Sequence, residues 1–160
     1  MGKIVSICYT PADAKDSRPA DQYLRVPVNE ARLLTGRGIE GCRKGRARDR
    51  HINLMNEQTL QQLAIEGFRT AAGEMGEQII VSGIDVDQLK PGDRLRLGGS
   101  AVLEVNKART GCDRFEQIQK KPKREVNGRL GQMMCVIEGG TIRIGDPVTF
   151  AQAQTAVAAS

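Results

Sequence analysis

Residues 73–115 read GEMGEQIIVSGIDVDQLKPGDRLRLGGSAVLEVNKARTGCDRF. Three short apolar runs, Gln78 to Val81, Arg94 to Leu97 and Ala101 to Val105, alternate with Gly or Pro-Gly punctuation. Short runs rich in β-branched residues and cut by glycine predict strands joined by tight turns. Gly98-Gly99 between the second and third runs predicts a hairpin. That hairpin delivers Cys112, which sits among Arg109, Thr110, Gly111 and Arg114. A neighbouring cation favours the thiolate, the nucleophilic and metal-binding form of cysteine, so chemistry is expected at Cys112.

The chain resembles the MOSC domain, the module named for the C-terminal part of molybdenum cofactor sulfurases. In that family a Gly-Glu pair opens a strand, a Gly-Ile/Leu-Asp turn and a Pro-Gly-Asp turn follow, and a strand then leads to a single cysteine. The segment 128–150, GRLGQMMCVIEGGTIRIGDPVTF, is similar to the family's closing motif of a Gly-Gly hairpin and a Gly-Asp turn. The resemblance implies a closed or nearly closed β-barrel like that of pyruvate kinase. It implies a role in sulfur handling or in binding the molybdenum-pterin cofactor. Cys112 would carry sulfane sulfur as a persulfide or ligate molybdenum. Arg37, Arg43, Arg109, Arg114 and Arg129 would hold an anionic phosphate or substrate, with Glu77 and Gln78 beside them. Two positions depart from the pattern: Cys42 stands where an aspartate is expected in the Gly-x-x-Gly-Asp element, and Gln78 where an asparagine is expected. Full-length sulfurases extract sulfur with a pyridoxal-phosphate domain, and no pyridoxal-phosphate site is recognised in this chain. Its sulfur would therefore come from a cysteine desulfurase, or pass between the chain and a molybdoenzyme. Two other functions stay open, a molybdenum-dependent reductase of N-hydroxylated compounds and a non-catalytic module that binds an anion or a partner.

Composition narrows the classes independently. At 160 residues the chain suits one domain, taken as 1–150, with an alanine-rich tail over 151–160. Four cysteines are scattered with no Cys-x-x-Cys pair and a single histidine accompanies them, which argues against zinc. Neither a signal peptide nor a membrane-spanning run is read, so a cytoplasmic protein is expected. The net charge is +5, with basic residues gathered over 32–50 and 107–129. Aromatics make up 3%, too few for the stacking platforms of single-stranded nucleic acid binding.

The remaining elements follow from local signals. Lys3 to Tyr9 predicts a buried strand in which Cys8 packs as a small hydrophobe. Tyr23 to Leu34 is extended, with Pro27 confining it to an edge. Gly36 to Arg50 forms a glycine and arginine loop able to wrap an oxyanion. His51 opens a strand, where backbone groups would satisfy it. Asn56 to Phe68 predicts the clearest helix, N-capped by Asn56 and covering an open end of the sheet. Glu116 to Glu125 is a short helical turn broken at Pro122, Gln132 to Glu138 pairs with Thr141 to Ile144 through Gly139-Gly140, and Cys135 alternates into the core. The fold is thus mainly β with one or two short helices.

Overall fold

The computed structural model describes residues 2–15, 19–43 and 51–151. Lys44, Arg46, Arg48 and Arg50 of the basic loop, and the tail beyond Ala151, lie outside the described residues. Eleven strands are present among the described residues: β1 Gly2–Tyr9, β2 Val26–Val28, β3 Glu30–Leu34, β4 Gly38–Ile39, β5 Ile52–Asn56, β6 Ile79–Ser82, β7 Arg94–Leu97, β8 Ala101–Ala108, β9 Gln132–Glu138, β10 Gly140–Arg143 and β11 Pro147–Ala151. Two α-helices, α1 Glu57–Ile65 and α2 Asp113–Gln119, join them.

Seven strands close into a barrel in the order β11-β7-β8-β9-β5-β6-β1, with β1 pairing back onto β11 at Gly2↔Val148. Closure removes the exposed edges that an open sheet of this composition would present. β2 extends the sheet beyond β1, and Pro27 sits on that edge, where its missing N–H costs no ladder bond. β5 and β6 pair in parallel, Leu54 opposite Ile79, and the return crossover runs through α1. β10, β3 and β4 form a separate small sheet.

The barrel strands have apolar residues on both faces. Ile4, Ile52, Leu54, Ile79, Val81, Leu95, Leu103, Met134 and Val136 belong to one buried cluster inside the barrel. Met55 and Ile80, the intervening residues on β5 and β6, join Leu60, Leu63, Phe68, Met75 and Phe115 in a second cluster under the helices. The helices therefore cover the outer wall of β5 and β6 rather than an open end of the barrel. Asn56 caps α1 as expected, its Oδ1 accepting the Thr59 N–H at 2.7 Å.

Three further expectations need correction. β9 and β10 do not pair through Gly139-Gly140; β10 pairs with β3, Gly140 opposite Leu33. A side chain at Gly139 would lie 2.4 Å from the Leu33 carbonyl oxygen, so the glycine pair lets the chain cross onto the second sheet instead of turning back. Cys135 is half-buried, while Met134 and Val136 on either side point into the barrel. The second helix begins at Asp113, directly after Cys112, earlier than the expected Glu116.

Candidate functional site

β8 runs past the end of its hairpin to Ala108, and the chain then leaves the barrel wall through Arg109, Thr110 and Gly111. α2 starts at once, its first residues preceded by Cys112 in extended conformation (φ −131°, ψ 176°). The Cys112 carbonyl accepts the Glu116 N–H at 3.1 Å, and its side chain makes no capping bond. Phe115 is fully buried against Phe68 and anchors the helix, so Cys112 is held on a fixed backbone while its thiol stays exposed. Cys8 and Cys42 are buried.

Tyr23 lies at the centre of the charge beside this thiol. The guanidinium carbons of Arg25, Arg109 and Arg114 stand 5.6, 5.8 and 5.3 Å from its ring centroid. Each is positioned by neutral acceptors. Arg25 donates to Thr10 Oγ1 at 2.8 Å, the Leu24 carbonyl at 3.1 Å and the Gly76 carbonyl at 2.7 Å. Arg109 donates to the Met75 carbonyl at 2.6 Å and to Tyr23 Oη at 3.5 Å, and Arg114 to the Gln22 carbonyl at 3.1 Å. Among the described residues, none of the three forms an ion pair with a carboxylate. Burial pushes the Arg25 and Arg109 guanidiniums down from their ordinary range and the Tyr23 phenol up, with Arg109 opposing the shift on Tyr23. Cys112 is within electrostatic reach of Arg109, Tyr23 and Lys123.

Glu77 lies behind the arginines with 1% of its surface exposed. Its carboxylate accepts the Gly73 N–H at 2.5 Å and the Met75 N–H at 3.2 Å. Burial raises its pKa, and the backbone donors and Arg109 act against that rise. The carboxylate thus shapes the 73–77 turn whose carbonyls hold Arg25 and Arg109. Gly76 is required here: its φ is +86°, and a Cβ would sit 2.8 Å from Arg109 Nη2 and 3.0 Å from Tyr23 Cζ.

The other residues singled out from the sequence are placed as follows. Gln78 is buried, and its Oε1 accepts the Asn53 N–H at 2.7 Å inside the fold. Arg43 donates to the Ala12 and Ala14 carbonyls at 2.9 and 3.3 Å, and Arg37 is exposed in the turn between β3 and β4. Arg129 forms a two-pronged ion pair with Glu66, at 2.6 and 2.8 Å, that ties the end of α1 to the segment leading into β9. His51 is buried, its Nδ1 accepting the Val136 N–H at 2.9 Å. Of the expected set, Cys112, Arg109, Arg114 and Glu77 come together. Tyr23, Arg25 and Thr10 join them without having been singled out. The available signal was the Tyr-x-Arg spacing on an extended segment, which puts both side chains on one face. A separate open groove of about 270 Å³, lined by Tyr9, Val28, Arg32, Ile39 and Glu40 among others, takes none of its lining from the Tyr23 cluster.

A seven-stranded barrel with two helices on its outer wall and one exposed thiol at the close of a barrel strand defines the architectural class. The MOSC domain family matches residues 40–149, and the chain belongs to that family. No curated protein matches it. Among solved structures, YuaD from Bacillus subtilis shares 22% identity at a TM-score of 0.71, with 92% of this chain and 94% of that chain covered. YiiM from Escherichia coli shares 19% identity at a TM-score of 0.69, covering 94% of this chain and 70% of that one. YiiM from Geobacillus stearothermophilus shares 20% at 0.69, covering 95% and 76%. At these identities the likeness concerns the fold. The family is associated with the molybdenum cofactor, and that general association extends to this chain as a member.

Proposed function

We propose that the protein is a sulfur carrier of molybdenum cofactor metabolism and that Cys112 bears the transferred sulfur. The observation that supports this most is the pairing of an exposed thiol with guanidiniums that have no carboxylate partner among the described residues. Sulfur transfer needs a thiol that a donor can reach and an environment that tolerates anionic sulfur. In the loading step the Cys112 thiolate attacks the outer sulfur of a donor persulfide. A new S–S bond forms at Cys112, the donor's S–S bond breaks, and the donor leaves as a thiolate. Arg109 offsets the negative charge that then resides on the outer sulfur. The partner with the matching chemistry is a cysteine desulfurase carrying a persulfide.

The same donor set also fits the molybdenum-pterin cofactor. Cys112 would be the soft ligand, Arg114 would meet a phosphate, and the buried Arg25 Nε has no partner among the described residues. When bound, that group would supply redox chemistry, and this chain's part would be to hold it.

The test is intact mass after incubation with cysteine and a desulfurase. Wild type should gain the mass of sulfur and lose it on treatment with a thiol reductant, and Cys112→Ser should gain none. Equal gain by both proteins would refute the assignment.

A further inference from the structure

The charge around Tyr23 is more than a persulfide requires. Three guanidiniums face the phenol ring. Among the described residues, the charged groups that act most on Tyr23 are these arginines and the Cys112 thiol. Among the described residues, the carboxylate that acts most on Arg25 and Arg109 is Glu77, buried behind them and occupied by backbone N–H groups. Lys123 and Asp113 neutralise each other at 2.8 Å. With Cys112 as the reacting thiolate, the local sum is three positive charges against two negative, Glu77 and Cys112, so a positive surplus remains even when the thiol is ionised. Donor capacity is also unspent: among the described residues Arg114 donates only through Nη2 and the buried Nε of Arg25 is unpartnered, although a guanidinium carries five N–H groups. Unspent guanidinium donors suit tetrahedral oxyanions, which accept several charge-assisted hydrogen bonds at once.

We infer that the Tyr23 cluster is a subsite for a divalent sulfur oxyanion with a terminal transferable sulfur, the thiosulfate class, which loads Cys112 directly. This inference rests on the sulfur-carrier reading and names a donor for it. The Cys112 thiolate attacks the terminal sulfur of S–SO₃²⁻. An S–S bond forms at Cys112, and the S–S bond to the sulfonate breaks. Sulfite leaves as SO₃²⁻ with the bonding pair, so total charge is unchanged and no external oxidant or reductant is needed. The arginines bind the dianion in the ground state and receive the dianionic leaving group.

The experiment uses the full chain and two donors, sodium thiosulfate and sodium polysulfide, with Cys112 loading read by intact mass and released sulfite assayed in the thiosulfate arm. Wild type should load from both, releasing one sulfite per sulfur gained. Arg114→Gln removes one charge-assisted contact at the exposed side of the cluster. It should lower the rate of thiosulfate loading relative to polysulfide loading by about tenfold or more. Lys90→Gln, an exposed cation outside the cluster, should leave that ratio unchanged. Loading from polysulfide but not from thiosulfate would overturn the inference while the carrier reading stands. An unchanged donor ratio in Arg114→Gln would overturn it as well, and failure of both donors would overturn the carrier reading itself.

Discussion

Replacing Gly76 by alanine tests the packing on which the site depends. The residue has φ +86°, and a non-glycine residue held in that region costs about 1–2 kcal/mol. The added Cβ would lie 2.8 Å from Arg109 Nη2 and 3.0 Å from Tyr23 Cζ, both well inside van der Waals contact. Relief requires moving two half-buried side chains, or tilting the peptide whose carbonyl accepts from Arg25 at 2.7 Å. Overpacking of this kind costs about 1–3 kcal/mol, so the total expected destabilisation is about 2–5 kcal/mol. Gly92 supplies the internal standard, with φ +95° and nothing within 4 Å of its would-be Cβ. Gly92→Ala should therefore cost only the backbone part. Urea unfolding followed by far-ultraviolet circular dichroism gives both values, and the excess of Gly76→Ala over Gly92→Ala isolates the contact with Arg109 and Tyr23. Equal costs would mean that these side chains do not close over Gly76, and the geometry of the cluster would be wrong.

Two further predictions test the scaffold. Phe115→Ala empties a fully buried position under α2 and should destabilise the fold by about 3–5 kcal/mol in the same unfolding assay; a loss below about 1 kcal/mol would show that α2 is not anchored there. Glu66 is held down to about 2, chiefly by its hydrogen bonds from Arg129, against an ordinary 4.5. Because its folded value is depressed, its contribution is present above the unfolded value and is lost as pH falls through the folded one. Arg129→Gln should thus lower the thermal midpoint at pH 7, and the gap from wild type should narrow between pH 4.5 and about 2. A gap independent of pH would contradict the pairing.

Much of the barrel was legible because its signals are local. Gly98-Gly99 between two alternating runs specified the β7–β8 hairpin, and Asn56 ahead of the Leu60 and Leu63 spacing specified α1 and its cap. Gly139-Gly140 misled because glycine pairs serve two purposes, turning a hairpin and letting two backbones pass closely, and only the position of β3 decides between them. Cys135 misled because β9 carries Met133, Met134, Cys135, Val136 and Ile137 in succession. A strand that is apolar on both faces gives no parity to read. At the site, Cys112, Arg109 and Arg114 were visible as neighbours in the chain. Tyr23 and Arg25 were not, because they reach Arg109 from more than eighty residues away through tertiary packing. Arg129 shows the converse: a basic residue in a basic stretch whose charge is committed to Glu66.

The most direct measurement is to map the transferred sulfur by peptide mass spectrometry after loading from a desulfurase and cysteine. Cys112 is the exposed thiol, with Cys8 and Cys42 buried and Cys135 half-buried. The added sulfur is therefore predicted on the peptide that contains Cys112. Sulfur found on another cysteine, or on none, would contradict the account.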